Sequence, residues 1–141
     1  MAYSNAMFQA LSILIFIHFK SEESLYEYLS TKKISELLNI PVPTTVKVLS
    51  KLTAAGLTHA KEGAKGGILL AKPVSEITFL DVFYAIEQEK PLFKTQLDCY
   101  GDDEEVKALK EKGIGYLKDA EYAMKESLEK ITLMDVINSS D

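Results

Sequence analysis

The stretch ISELLNIPVPTTVKVLSKLTAAGL, residues 34–57, runs directly into THAKEGAKGGILLA, residues 58–71, and the reading of these two pieces decides the fold. The first has the apolar spacing of two short helices joined by a tight turn, and the second that of a two-stranded hairpin with a glycine-rich, lysine-bearing tip. Ser30 and Thr31 are N-cap candidates for the first helix, whose buried stripe is expected at Ile34, Leu37 and Leu38. Asn39 falls where the turn needs a residue tolerant of left-handed backbone, and Ile40 plugs the turn into the core. Pro43 suits the first position of the second helix, because its missing amide hydrogen would have no helical partner there. That helix is expected to run to about Ala55 and stop at Gly56, with Thr45, Val48, Leu49 and Leu52 facing inward at i, i+3, i+4, i+7. Thr44, Lys47 and Lys51 then fall on its other side. The layout is that of a winged helix-turn-helix, in which a helix fits a DNA major groove while the hairpin reaches the flanking backbone.

Charge points the same way. The 141-residue chain has a formal net charge of -5, yet residues 32 to 72 hold seven lysines against only Glu36 and Glu62, a local +5 that leaves -10 on the other 100 residues. A basic island on an acidic body binds phosphates in one place and repels them elsewhere. For charge alone a solvated lysine face is the plainer reading, and it is the coincidence with the helix-turn-helix pattern that favours nucleic acid. The expected DNA contacts are Lys32, Lys33, Pro43, Thr44, Lys47 and Lys51 on the helices, with Lys65, Gly66 and Gly67 at the wing tip. The wing is placed over Leu57 to Lys61 and Ile68 to Lys72, with Gly63, Gly66 and Gly67 supplying positive backbone angles. Its backbone amides are free to meet phosphate.

The rest of the chain frames this unit. Asn5 to Phe19 reads as a first helix, almost apolar all round and hence buried between its own domain and a partner, and Glu22 to Leu29 as a weaker helical or loop segment. Its apolar run, from Met7, is too short to span a bilayer and follows no basic residue, so neither a membrane span nor a signal peptide is expected. Thr78 and Asp81 form a capping-box variant opening a helix with its core stripe at Phe79, Val82, Phe83 and Ile86, and Thr132 with Asp135 repeats the device. After a loop from Gln88 to about Gly101, apolar or small residues recur along a long helix at Leu109, Gly113, Leu117, Ala120, Met124, Leu128 and Ile131. A stripe of that length calls for a partner, although Gly113 and Gly115 could kink or shorten the helix. The expected fold is therefore mainly α with a small β-hairpin. Residues 1–90 form the winged helix-turn-helix domain, and 91–141 a sensor loop and dimerisation helix.

Over nearly its full length the chain resembles the Rrf-two family of bacterial winged-helix transcriptional regulators. The resemblance is carried by Tyr3-Ser4, ISELLNIP (34–41), KVLSKLTAAGL (47–57), GAKGGILLAKP (63–73), EITFLDVFYAIE (76–87) and TLMDV (132–136). It implies a homodimeric DNA-binding regulator, usually a repressor, with dimerisation through the long helix and a sensor in the loop after the fourth helix. Two departures stand out. Glu62 and Ile68 occupy places where the family commonly has an arginine and an aromatic residue, and the chain has no arginine at all. The bidentate guanine contact and the minor-groove arginine are thus unavailable. Members holding an iron-sulfur cluster carry three cysteines in the sensor loop, whereas this chain has one, Cys99. A cluster normally takes four ligands, so no cofactor and no metal site are expected.

Cys99 also excludes an internal disulfide and fits a reducing cytoplasm. It is the candidate redox-sensing residue, although Asp98, Asp102, Asp103 and Glu104 disfavour its thiolate while Lys94 and a helix start favour it. His18 and His59 have no cysteine or carboxylate at triad or ligand spacing, so enzyme chemistry is not expected. The function expected is a cytoplasmic repressor that binds an inverted-repeat operator in double-stranded DNA as a homodimer, under control of an oxidant or a small-molecule effector. The alternative is a winged-helix module that binds protein partners through its lysine face. Salt-sensitive duplex binding separates the two.

Overall fold

Apolar periodicity of 3.6 places five of the helices, and the glycine-punctuated alternation between them places one hairpin. The computed structural model describes residues 5–23, 29–63, 66–88, 90–96 and 103–138. The chain runs α1 (Ala6–Glu23), α2 (Thr31–Leu38), α3 (Val42–Ala54), β1 (Thr58–Lys61), β2 (Gly67–Leu70), a 3-10 turn (Val74–Glu76), α4 (Phe79–Glu87), α5 (Glu104–Glu129) and α6 (Leu133–Asn138). The fold is mainly α with a two-stranded antiparallel hairpin and a long helix near the C-terminus, as expected. Among the described residues no helix is long and apolar enough to cross a membrane.

α1 lies at the centre, packing against α3, α4, β2 and α6. Its Ala10, Ile13, Leu14 and Ile17 are buried with Val48, Leu49 and Leu52 of α3 and Val82, Ala85 and Ile86 of α4. The sequence places α1 between its own domain and a partner, and in the single chain only one side of it is covered. Phe8 is 73% and Phe19 47% exposed in the single chain, so one side of the helix is open. α1 also continues to Glu23, past the expected end at Phe19.

The hairpin pairs Thr58 with Leu70 and Lys61 with Gly67. It is pinned to the body by the Ile68 amide, which donates to the Leu29 carbonyl at 2.7 Å. At its base the Thr53 and Thr58 hydroxyls share a hydrogen bond of 2.8 Å, joining the end of α3 to β1.

Both expected capping boxes form, and they meet. Thr78 Oγ1 accepts from the Asp81 amide and the Asp81 carboxylate accepts from the Thr78 amide, each at 3.0 Å. Thr132 and Asp135 repeat the exchange at the head of α6. The two threonines face each other in an antiparallel bridge, where Phe79 N–H donates to Ile131 O at 2.8 Å and Leu133 N–H to Ile77 O at 3.0 Å. The bridge carries Leu133, fully buried, into the core beside Val74 and Ile77. The last helix therefore packs on the unit formed by the first 90 residues.

α5 starts at Asp103, whose carboxylate accepts from the Glu105 and Val106 amides. It runs unbroken through Gly113 and Gly115, so neither glycine shortens it. Both glycines face open space, and the helix tolerates them at a cost of about 1 kcal/mol each relative to alanine. None of its residues is buried, and Leu109 is 67% exposed. α4 is its neighbour, with the Lys125 ammonium 5.2 Å from the centre of the Tyr84 ring. Glu121 further accepts a hydrogen bond from the Leu92 amide.

Loss of either capping hydroxyl, Thr78→Ala or Thr132→Ala, should cost about 1 kcal/mol in urea unfolding. Because the two caps share one bridge, the double variant should lose more than the two single losses together; strict additivity would mean that they act independently.

Candidate nucleic-acid interface

The turn between α2 and α3 is fixed by backbone geometry and two buried hydroxyls. Asn39 adopts φ 54° and ψ 45°, the left-handed conformation that a short polar side chain accepts, and Ile40 is buried behind it. Ser35 Oγ donates to the Ile40 carbonyl, and Thr45 Oγ1 to the Pro41 carbonyl at 3.1 Å. The Pro41 carbonyl also accepts from the Thr45 amide at 3.0 Å, so the two hydroxyls tie the turn to α2 on one side and to the first turn of α3 on the other. Ser30 caps α2 by accepting from the Lys33 amide at 3.0 Å. α2 also departs from expectation: Ile34 is buried and Leu38 half-buried, but Leu37 is 48% exposed and Ser35 takes an inner position.

α3 begins at Val42, which puts Pro43 within its first turn, one place later than expected. Thr45, Val48, Leu49 and Leu52 are its buried residues, as the period required. The remainder splits by chemistry. Thr44, Lys47 and Lys51 line an open cleft of about 520 Å³, together with Asn5 and Gln9 of the α1 end and Gln88 and Lys90 after α4. Lys51 is half-buried there, its ammonium donating to the Ile86 carbonyl at 3.3 Å, so it caps the end of α4 as well as lining the cleft. Lys47 is exposed, as are Pro43 and Ser50. Val42 and Val46, 47% and 52% exposed, share this open surface, and the sequence reading passed over them. The signal was available, since both positions lie off the buried stripe.

Lys32 and Lys33 are exposed on the first turn of α2. At the wing, Gly63 has the expected positive φ of 111°. Gly66 is required for a different reason: a Cβ there would stand 2.0 Å from the Lys61 carbonyl oxygen. Gly67 pairs with Lys61 inside β2 and needs no special angle. Lys65 and Cys99 lie outside the described residues. His59 is exposed on β1, and His18 is half-buried with its ring edge-on to Phe19.

A turn-linked helix pair, with its second helix exposed beside a lysine-bearing hairpin, defines a winged helix-turn-helix protein. Residues 3–139 match the model of the Rrf2 (Rrf-two) family, described as an iron-dependent transcriptional regulator, and the chain belongs to that family. Among curated relatives, YwgB of Bacillus subtilis, named as a candidate HTH-type transcriptional regulator, is 31% identical over 94 residues, 67% of this chain and 58% of the relative. The HTH-type transcriptional regulator NsrR of Oceanobacillus iheyensis is 35% identical over 91 residues, 64% of this chain and 57% of the relative. The chain thus spans a little over half the length of these relatives. The structure of CymR, titled the global cysteine regulator of B. subtilis, superposes with a TM-score of 0.64 at 26% identity over 100% of this chain and 99% of that one. The family is one of transcriptional regulators, not enzymes.

The iron in the family's description can be tested against the donors present. The chain has a single cysteine, and among the described residues no three histidine, cysteine, aspartate or glutamate side chains gather where they could hold a metal. One thiolate per chain does not fit a cluster that takes four ligands.

Gly66→Ala should force the wing tip apart. Hydrogen exchange should accelerate at the Gly66 amide, which now donates to Gly63 O at 2.9 Å, while α3 keeps its protection. Unchanged exchange at the tip would show that the hairpin absorbs the methyl group.

Proposed function

We propose that this protein is a DNA-binding transcriptional repressor that grips an inverted-repeat operator as a homodimer, with α3 of each subunit in a major groove and the wing on the adjacent backbone. The observation that carries this reading is the union of an exposed α3 with seven lysines in residues 32 to 72, on a chain otherwise acidic. Lys32, Lys33, Lys47 and Lys65, with the amides around Gly66 and Gly67, serve as phosphate contacts; Pro43 and Thr44 lie at the mouth of α3. Lys51 joins them where the DNA competes with the Ile86 carbonyl for its ammonium. Half-site centres lie one helical turn apart, about 10 bp, or a multiple of it.

Residues 1–90 act in this reading as the DNA-binding unit and 91–141 as sensor loop and dimerisation arm, with α6 returning to the first unit. Support for dimerisation comes from α5, whose Val106, Leu109, Tyr116 and Tyr122 are exposed in the single chain, and from the open Phe8 of α1. The input is an oxidant or a small ligand. Oxidation of Cys99 would have to join it to the partner subunit's cysteine or to a small thiol, because the chain holds no second one.

Electrophoretic mobility shifts on DNA flanking the protein's own gene test the reading. Binding should weaken steeply with salt, and Lys47→Ala should reduce the slope of log K against log salt by about one unit. An unaltered slope would take Lys47 off the backbone. Leu117→Asp should yield monomers or aggregates in sedimentation and abolish operator binding; an intact dimer would place that stripe outside the interface.

A further inference from the structure

α3 carries the sequence VPTTVKVLSKLTA and contains no arginine, asparagine or glutamine, so among the side chains that can make two hydrogen bonds to a purine edge it offers only Lys47 and Lys51. The loss is not made good elsewhere by arginine, which the chain lacks entirely. Beside the exposed Lys47 and Ser50, the open surface of α3 presents an apolar pair. Val42 and Val46 are about half exposed, Pro43 lies between them in sequence, and Ser50 follows one turn later. A β-branched apolar residue left half in water on a helix is a cost unless something covers it, and valine is also a poor helix former at a surface position.

We infer that Val42 and Val46 read thymine, each closing on the C5-methyl group that this base alone presents in the major groove. The inference rests on the DNA-binding reading above and deepens it. Duplex DNA is the occupant favoured by charge, since the exposed Lys47 follows Val46 on the same helix and Lys32 and Lys33 are exposed on α2. Spacing fits as well. Residues at i and i+4 share a helix face and lie about 6 Å apart along it, close to two base-pair steps of about 3.4 Å. Two thymines within about two base pairs of each other in every half-site satisfy both valines. Lys47, on the outer side of the same turn, holds the phosphate that fixes the register, and Thr44 and Ser50 are left for single hydrogen bonds.

The experiment begins with selection of tight sites from a random duplex pool, using the full-length protein. Thymines should be enriched at two neighbouring positions in each half-site. Each is then replaced by deoxyuridine, which removes only the methyl group. Affinity should fall about fourfold per methyl lost from the two contacted positions and stay constant elsewhere. In Val46→Ala the thymine-to-uracil difference at one of these positions should shrink toward unity, and in Val42→Ala at the other, with thermal unfolding unchanged because both side chains are exposed. Uracil indistinguishable from thymine throughout, with tight salt-dependent binding intact, would overturn methyl readout and leave the DNA-binding reading standing. The same uracil penalties persisting in both valine variants would also overturn it. Failure to select any duplex, with no salt-sensitive binding, would instead remove the DNA-binding reading and assign the valine surface to a protein partner.

Discussion

Everything that α3 presents depends on a turn of three residues whose carbonyls are held by two hydroxyls. Asn39 reverses the chain in a left-handed conformation, and Ser35 and Thr45 then bond the carbonyls of Ile40 and Pro41 from opposite sides. The Ser35 and Thr45 side chains are buried, so breaking either bond leaves a hydroxyl away from water, at a cost of about 1–3 kcal/mol. That penalty makes the angle between α2 and α3 a discrete choice. With the angle set, the buried stripe of α3 fixes its rotation about its own axis, and the outward residues follow.

Much of this was legible from sequence because it rests on local chemistry with a strict period. The inward set of α3, the left-handed Asn39, the Ser30 cap and the two threonine-aspartate boxes each depend on neighbours within four residues. What could not be read depends on distant groups. Leu37 has the right spacing for burial, but α2 is only eight residues long and its inner side is filled by Ile34, Ser35 and Leu38. Lys51 looks like an exposed lysine until α4 ends with the Ile86 carbonyl pointing at it. Gly66 seemed to need an unusual backbone angle, whereas it is the approach of the Lys61 carbonyl, across the hairpin, that forbids a side chain. The unbroken α5 belongs here too, since its 26 residues supply enough helical hydrogen bonds to carry two glycines.

In the proposed reading the site divides its labour between two kinds of residue. Lysines are strongly hydrated point charges on flexible stems, suited to phosphate and poor at telling bases apart. In that reading most of the discrimination comes from shape and apolar contact on α3. A regulator built this way separates strength from selectivity, with salt acting on the first and hardly on the second.

The bridge between Thr78 and Thr132 has a consequence for how the molecule is made. It joins positions 54 residues apart and brings Leu133 into a core whose other members mostly precede residue 87. A chain that has not yet reached Leu133 would lack the side chain that fills the core beside Val74 and Ile77. The core closes only once Leu133 has emerged. Long-range closure of this kind slows folding, and it ties completion of the core to synthesis of the long helix.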